Sequence, residues 1–467
     1  MQQAKPEKKK NFLDRYFKIT EKGSTIGKEL LGGLIVFLAM LYILPVNTNI
    51  LSGDPANMSS GAVFAATAIC SAICSIFMGV FAKYPVALSA GMGMNAFIAY
   101  TVCGTLGYTW AESLTLIFFS GILFFILTLT PLREKIINAI PQSLKYAISA
   151  GLGAFICFVG LKMSGIISLS TSTLVELGDL SNPTVLLGLF GIILVLVLLT
   201  CKNALIKKLA IIIAMVAVAI VGLILGLFNI EGMPSFSNAN LGSVSEIKDT
   251  FGECFKTENL KVLGDFKSYA VMFSLIFVNL FDTTATLLAV GKEAGMLDEK
   301  GKLKDGKKAM LADAGGAFIC GILGTSTVTS FAESTIGVES GARTGLSATF
   351  TGLLFALTLL IFPAFSIFMP IDGLTPITSL ALVAVGAMMF SNLKHLDWDN
   401  KIIVFASFIT VIMMLLTYSL SDGLGFGLIM YSLMMIFAGK GKDVHPFVYG
   451  ISVFFVLNFV LSATIFK

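Results

Sequence analysis

GTSTVTSFAESTIGVESGARTGLSA, residues 324–348, breaks the apolar character of the chain around it. Apolar runs long enough to cross a bilayer flank it on both sides. The stretch itself is rich in Thr, Ser and Gly, and it carries Glu333 where lipid-compatible side chains are called for. A carboxylate and a helix-poor segment at membrane depth need a reason, because each unsatisfied polar group there is expensive.

The membrane setting follows from composition. Hydrophobic residues make up 56% of the chain and charged residues 13%, with a mean hydropathy of +0.89, which is far from a soluble domain of this length. Runs of about 20 apolar residues recur, the length a helix needs to cross the hydrocarbon core. The net charge of +4 is modest. The polar, basic residues 1–27 lack the apolar stretch and small-residue cleavage site of a signal peptide, so this segment is expected in the cytoplasm. Within it, NFLDRYFKI is expected as a short amphipathic helix at the interface.

Hydropathy places spans near 28–47, 61–82, 85–102, 110–132, 143–166, 183–200 and 205–227, then 268–291, 307–323, 325–341, 345–369, 375–392, 401–418 and 421–437. A further apolar stretch covers 445–465. With the N-terminus inside, Lys83, Arg133, Lys135, Lys145, Lys202, Lys207, Lys208, the 292–308 loop, Arg343, Lys394 and Lys401 fall on the cytoplasmic side. The opposite connections near 48–60, 103–109, 370–374 and 419–423 hold no Lys or Arg. That asymmetry fits the positive-inside rule, and it puts the 228–267 loop outside.

Fourteen spans split at that loop into seven and seven. An odd number per half makes the second half enter the membrane in the opposite sense, the arithmetic of an inverted repeat. The expected fold is therefore all-α and polytopic, with two inverted seven-segment repeats. The third span of each half is irregular in the same way: YPVALSAGMGMNAFIAY at 84–100 and GTSTVTSFAESTIGVES at 324–340 both begin extended, turn Gly-rich or polar and resume as a short helix. Short strands are thus expected in segments 3 and 10. Two broken spans at matching positions point to a transport site. Close helix packing by glycine is the plainer explanation, but it leaves Asn95 and Glu333 unaccounted for.

Three residues carry the chemical argument: Glu333 at a strand–helix junction, Asp282 in the middle of SLIFVNLFDTTATLLAV, and Asn95 closing GMGMN. A helix starting near Ser334 would aim its free N–H groups and positive dipole end at the membrane midplane. A carboxylate with no cation beside it in such surroundings is a natural proton carrier. Arg343 lies ten positions from Glu333, about 15 Å along a helix, too far to be its counter-ion. Glu339 precedes Arg343 by four residues, the spacing of a helical ion pair, and is expected to be structural. Asn279, Asp282 and Thr286 share a helix face, as a polar seam or as part of a site. For Asp313, interfacial positioning or a helix contact explains the residue about as well as function. The seven cysteines are scattered and read as small apolar filler. Cys70 and Cys74 stand four apart, but nothing nearby completes a metal site, and no metal or cofactor is expected. His395 and His445 lie in polar connections and are poor proton carriers for a membrane site.

GMGMNAF, FDTTATL, AGMLDEKGKLKDGKKAMLADAGG and GTSTVTSFAESTIGVESGARTGLSA resemble the AzgA-like purine permeases of the nucleobase/cation symporter-2 group, from about residue 20 to 447. One departure is Ala285, where the family pattern has Gly. The resemblance implies a core domain from 28–132 and 268–369 and a gate or scaffold domain from 143–227 and 375–437. It also implies proton symport of a purine nucleobase (hypoxanthine, guanine or adenine), elevator-like movement, a homodimer and residence in the cell membrane. Asn95, Asp282 and Glu333 become the purine-binding residues, with Thr329 and Phe331 in the same strand. Glu333 and Asp282 become the proton-coupling groups. Within the C-terminal segment 438–467, the apolar stretch 445–465 would leave the C-terminus outside if it spans, and the resemblance favours a peripheral or partly buried cytoplasmic helix instead. No nucleic-acid partner is expected.

Other classes fit worse. An intramembrane aspartyl protease pairs Tyr-Asp with Gly-x-Gly-Asp, whereas this chain offers Phe-Asp at 281–282 and Leu-Ala-Asp at 311–313 and would leave Glu333 unused. An ion channel would need a ring-forming filter motif, which is missing. The nearer alternative is a carrier of the same fold for uracil, xanthine or an anion. A carboxylate at Glu333 would repel an anion.

Overall fold

The structure, a computed structural model, describes residues 11–131, 133, 136, 139–235, 242–298 and 303–464. The basic residues 1–10, Lys135, residues 236–241 of the 228–267 loop, residues 299–302 of the 292–308 loop and residues 465–467 lie outside that set.

The fold is the expected array of fourteen membrane segments in two inverted repeats. Segment 1 is broken into Ile26–Met40 and Ile43–Ser52. Segment 2 is Ser60–Phe77, continued by a looser turn to Ala82. Segment 3 opens with strand β1 (Leu88–Ala90) and resumes as helix from Met92 to Thr105. Segments 4 and 5 are Trp110–Leu129 and Gln142–Met163. A hairpin, β2 (Ile167–Ser170) with β3 (Leu174–Leu177), follows. Segments 6 and 7 are Pro183–Leu199 and Ala210–Leu227, separated by a short helix, Ala204–Lys208.

In the second half, segment 8 is Phe266–Glu293 and segment 9 Gly306–Leu323. Segment 10 comprises β4 (Val328–Ser330) and a half-helix, Ser334–Glu339. Segment 11 is Gly345–Leu357, extended as tighter turns to Phe368. Segments 12, 13 and 14 are Ser379–Phe390, Lys401–Leu416 and Leu420–Phe437. One more helix, Pro446–Thr464, lies beyond the repeats.

The packing has the symmetry of an inverted repeat. Segment 2 packs on segment 11, and segment 9 on segment 4, which is the same contact with the halves exchanged. Segment 5 packs on segment 12, its own counterpart. That last crossing needs glycine on both sides. A Cβ on Gly153 would meet Gly386 O at 2.6 Å, and one on Gly386 would meet Gly153 O at 2.5 Å. With no strong hydrophobic drive between helices in lipid, such close backbone approach supplies van der Waals contact.

At the centre β1 and β4 pair antiparallel, Leu88 with Ser330, Ser89 with Thr329 and Ala90 with Val328. Both strands are completely buried. A two-stranded ribbon leaves outer backbone groups that lipid could not satisfy. Ser75 Oγ, on segment 2, donates to Leu88 O at 3.0 Å and accepts from Leu88 N at 2.9 Å. Cys320 Sγ, on segment 9, accepts from Val328 N at 3.2 Å. Ser334 Oγ accepts from Ala87 N at 3.0 Å. Helices of both halves therefore hold the ribbon at both edges.

The N-terminal amphipathic helix is present as Phe12–Phe17. Phe17 and Ile19 pack with Leu346, and Tyr16 Oη donates to Val80 O at 3.2 Å. Lys83 Nζ donates to Tyr16 O at 3.0 Å, which ties the helix to the end of segment 2.

Candidate functional site

Glu333 stands at the junction expected for it, directly before the half-helix. Its Oε1 accepts from Tyr42 Oη at 2.9 Å. Tyr42 is buried and sits in the break of segment 1, a break that the sequence reading passed over by treating 28–47 as one span. The expected open N–H groups of the half-helix are not open. Ser334 N donates to Phe331 O, Thr335 N to Ala332 O and Ile336 N to Glu333 O, at 3.2, 3.0 and 3.0 Å. A tight turn consumes these donors, so the polar groups at this junction are side chains.

Asp282 approaches from segment 8. Its carboxylate lies against the Thr329 hydroxyl and within electrostatic reach of Asp313 and Glu333. Asp282 and Glu333 are only partly buried. Ala285 and Ala289, one and two turns beyond Asp282, are exposed, as is Ala332 beside Glu333. With Leu288, which is also exposed, these residues form an accessible apolar face between the carboxylates and Lys292 and Glu293 at the end of segment 8. Among the described residues, no cationic side chain lies within 4.0 Å of either carboxylate. The departure at Ala285 is harmless for packing, because its methyl sits on that exposed face.

Thr329 and Phe331 flank the site within and just after β4. Both are buried, and Phe331 N donates to Ala87 O at 3.0 Å. Asn95 is placed differently. Its Nδ2 donates to Asn47 Oδ1 at 2.9 Å, and its Oδ1 accepts from Ala96 N at 2.7 Å. Asn47 Nδ2 in turn donates to Thr67 Oγ1 and Thr325 Oγ1 at 2.8 and 2.9 Å, and Ser326 Oγ donates to Asn47 Oδ1 at 3.2 Å. Asn95 is therefore locked in a buried amide–hydroxyl lattice that joins segments 1, 2, 3 and 10, and its hydrogen bonds do not reach Asp282 or Glu333.

Of the explanations open for Asp313, the structure shows the helix contact rather than interfacial positioning: the residue is completely buried. Its Oδ2 accepts from Thr283 Oγ1 at 2.7 Å and its Oδ1 from Ser330 Oγ at 2.8 Å. It clamps segment 8, one residue from Asp282, to β4, one residue from Thr329. Arg133, read from sequence as a cytoplasmic loop charge, is buried too. Its Nη1 donates to Thr128 Oγ1 at 3.1 Å and its charge faces Asp313. The signal available was Asp313 itself, an acid within an Ala- and Gly-rich helix.

Glu339 is ion-paired, but its partner is not Arg343. Lys208 Nζ, from the short helix before segment 7, reaches Glu339 Oε2 at 2.6 Å. Arg343 instead closes the half-helix, donating from Nη1 to Ala342 O at 2.8 Å and to Val338 O. Buried Glu29 accepts from Arg343 N at 2.7 Å and Thr344 N at 3.3 Å, at the start of segment 11. The i, i+4 spacing failed because the helix ends at Glu339 and the chain turns before Arg343.

The cysteines are free and mostly buried. Cys70 Sγ lies 3.3 Å from Cys320 Sγ and 3.9 Å from Cys74 Sγ. Among the described residues no His, Cys, Asp and Glu cluster has the arrangement of a metal site.

Crossing strands contributed one by each inverted repeat and paired at membrane depth, with two acids of the second repeat beside them, define a membrane carrier. Residues 27–424 match the Permease family, and the chain belongs to it. It is 40% identical over 456 residues to the guanine/hypoxanthine permease PbuG of Bacillus subtilis, covering 96% of this chain and 99% of that one. It is 35% identical to the adenine permease AdeQ of Escherichia coli, with 96% of each chain covered. In fold it resembles the transmembrane domain of the cyanobacterial bicarbonate transporter BicA, with a TM-score of 0.55 at 14% identity over 86% of this chain and 97% of that one.

Proposed function

We propose that this permease takes up purine nucleobases by proton symport, with Asp282 and Glu333 as the groups that bind both base and proton. The observation that carries the reading is the convergence of these two acids on the β4–half-helix junction, partly accessible and, among the described residues, without a cationic partner. A purine is flat and neutral near pH 7, with N–H donors along its edge. A carboxylate accepts from such donors in charge-assisted hydrogen bonds, and Tyr42 and Thr329 orient the two acids. Phe331 offers a face for the ring. Asn95 supports the site by fixing segment 3 through Asn47. The named substrates of PbuG and AdeQ are of this class.

In this reading residues 28–132 and 268–369 form the substrate-binding core, and 143–227 with 375–437 form the gate. The core slides against the gate in an elevator-like cycle, within a homodimer in the cell membrane, with the N-terminal segment cytoplasmic. The fold is shared with an anion carrier, but two carboxylates at the centre of the site would repel an anionic substrate.

The test is uptake of labelled hypoxanthine, guanine and adenine in transport-deficient cells, with xanthine and uracil as competitors. Purine accumulation is expected to collapse on adding a protonophore. Glu333→Gln and Asp282→Asn are each expected to abolish it with membrane expression unchanged. Normal, protonophore-sensitive accumulation by both variants would remove the site assignment. No uptake of any purine would remove the function.

A further inference from the structure

The helix Pro446–Thr464 packs antiparallel to segment 14 along most of that segment. Tyr449 Oη donates to Gly441 O at 2.8 Å just past the end of segment 14, Ser452 Oγ lies 2.9 Å from Ser432 Oγ, and Ser452 Oγ donates to Leu428 O at 3.1 Å. Further on, Phe455 abuts Gly425, and Phe459 stacks on Phe426 with centroids 4.9 Å apart. Partners fall from 441 to 425 as the helix advances from 449 to 459, so it retraces segment 14 to within about two turns of that segment's start at Leu420.

Three further observations agree. Residues 446–460 hold no Asp, Glu, Lys or Arg, and nineteen residues of helix extend about 28 Å, close to the hydrocarbon thickness. The buried face is Val448, Ile451, Ser452, Phe455 and Asn458, whereas the exposed face is Val453, Val456, Leu457 and Val460. With Pro446 and Gly450 also exposed, the outward stripe carries no polar side chain, which suits lipid, not cytoplasm. The helix also touches segment 8 on its outer-loop half, where Phe454 lies 5.3 Å from Phe273, and Phe266 lies 6.5 Å from Phe454.

We propose that Pro446–Thr464 is a fifteenth membrane crossing, a brace seated on segments 14 and 8, which carries residue 464 to the face opposite Lys440. This replaces the peripheral cytoplasmic helix expected from the sequence, and it does not depend on the substrate. The buried hydroxyls of Ser432 and Ser452 satisfy each other across the contact, as small polar residues do between membrane helices.

Two measurements test it in the full-length chain. In Phe426→Cys/Phe459→Cys, with a protease site inserted after Gly439, mild oxidation is expected to keep the two fragments joined after cleavage. Each single variant is expected to release them. A helix lying on the surface at the Lys440 end would leave position 459 too far from 426, and separated fragments from a correctly inserted double variant would overturn the proposal. Independently, a fluorescent protein is expected to fluoresce when fused after Lys440 and to stay dark when fused after Lys467. Alkaline phosphatase should show the reverse. Fluorescence after Lys467 would overturn the proposal whatever the cross-link shows.

Discussion

Tyr42 and Glu333 meet across the two halves of the chain: the phenol in the break of segment 1 donates to the carboxylate that opens the half-helix of segment 10, at 2.9 Å. Because segment 1 and segment 10 each interrupt their helix here, the contact joins two of the irregular points of the fold. A hydrogen bond to a charged group contributes about 1.5–3 kcal/mol. Tyr42→Phe keeps the ring and removes only the donor. It is expected to reduce purine uptake about tenfold or more, with expression unchanged, as measured by initial rates in cells.

Asp313 holds two hydroxyls from different elements. Asp313→Ala removes the acceptor of Ser330 Oγ, leaves Thr283 Oγ1 only its 3.4 Å bond to Asn279 Oδ1, strands the buried charge of Arg133, and is expected to destabilise by about 3–5 kcal/mol. Thr283→Ala and Ser330→Ala should each lose about 1.5–3 kcal/mol, the range for a hydrogen bond to a charged group. Thermal denaturation of the purified protein in detergent checks the order. An Asp313→Ala variant as stable as the parent would contradict the clamp.

The two acids of segment 10 separate by role. Glu339 is exposed and paired with Lys208, and exposed pairs contribute about 0–1 kcal/mol. Glu339→Gln should therefore retain purine accumulation within about fivefold of the parent, while Glu333→Gln abolishes it. Equal loss in both would refute the division.

Gly153 and Gly386 face each other backbone to backbone. Gly153→Val must force segments 5 and 12 apart, since the obstructing atom is a carbonyl oxygen and not the end of a flexible side chain. A lower melting temperature is expected, by about 1–3 °C for ~1–3 kcal/mol of overpacking in a chain of this length, and is read by the loss of monodisperse protein on heating.

Relative movement of core and gate has its own test. Tyr100 at the end of segment 3 and Tyr418, just before segment 14, stack edge to face with centroids 5.5 Å apart, and Lys162 Nζ lies over both rings at 5.2 and 5.3 Å. Bridging Tyr100→Cys to Tyr418→Cys with a short reducible thiol cross-linker should stop uptake, and reductant should restore it. Full uptake with the bridge in place would exclude sliding at this contact.

Much of the site was legible before the structure because polar residues stand out against a lipid-compatible background. Glu333, Asp282 and the Gly- and Ser-rich breaks at 84–100 and 324–340 are anomalies on a one-dimensional scale. The odd number of spans per half carried the inversion by counting alone. Tyr42 and Asn47 were not legible, since a Tyr or Asn near a predicted span end looks like an interfacial anchor.

By itself, then, the amino-acid order determined the membrane class, the repeat and the two strand-like breaks, all of which depend on local hydropathy and on the parity of crossings. Only the tertiary structure decided pairings: Tyr42 with Glu333, Asn95 with Asn47, Asp313 with Thr283 and Ser330, Lys208 with Glu339, and the last helix with segments 14 and 8. Hydropathy reports how far a residue is from water, averaged along the chain. It carries no record of which distant residue fills the remaining lone pair or groove, and in a membrane, where every buried polar group must find a partner, that choice makes the site.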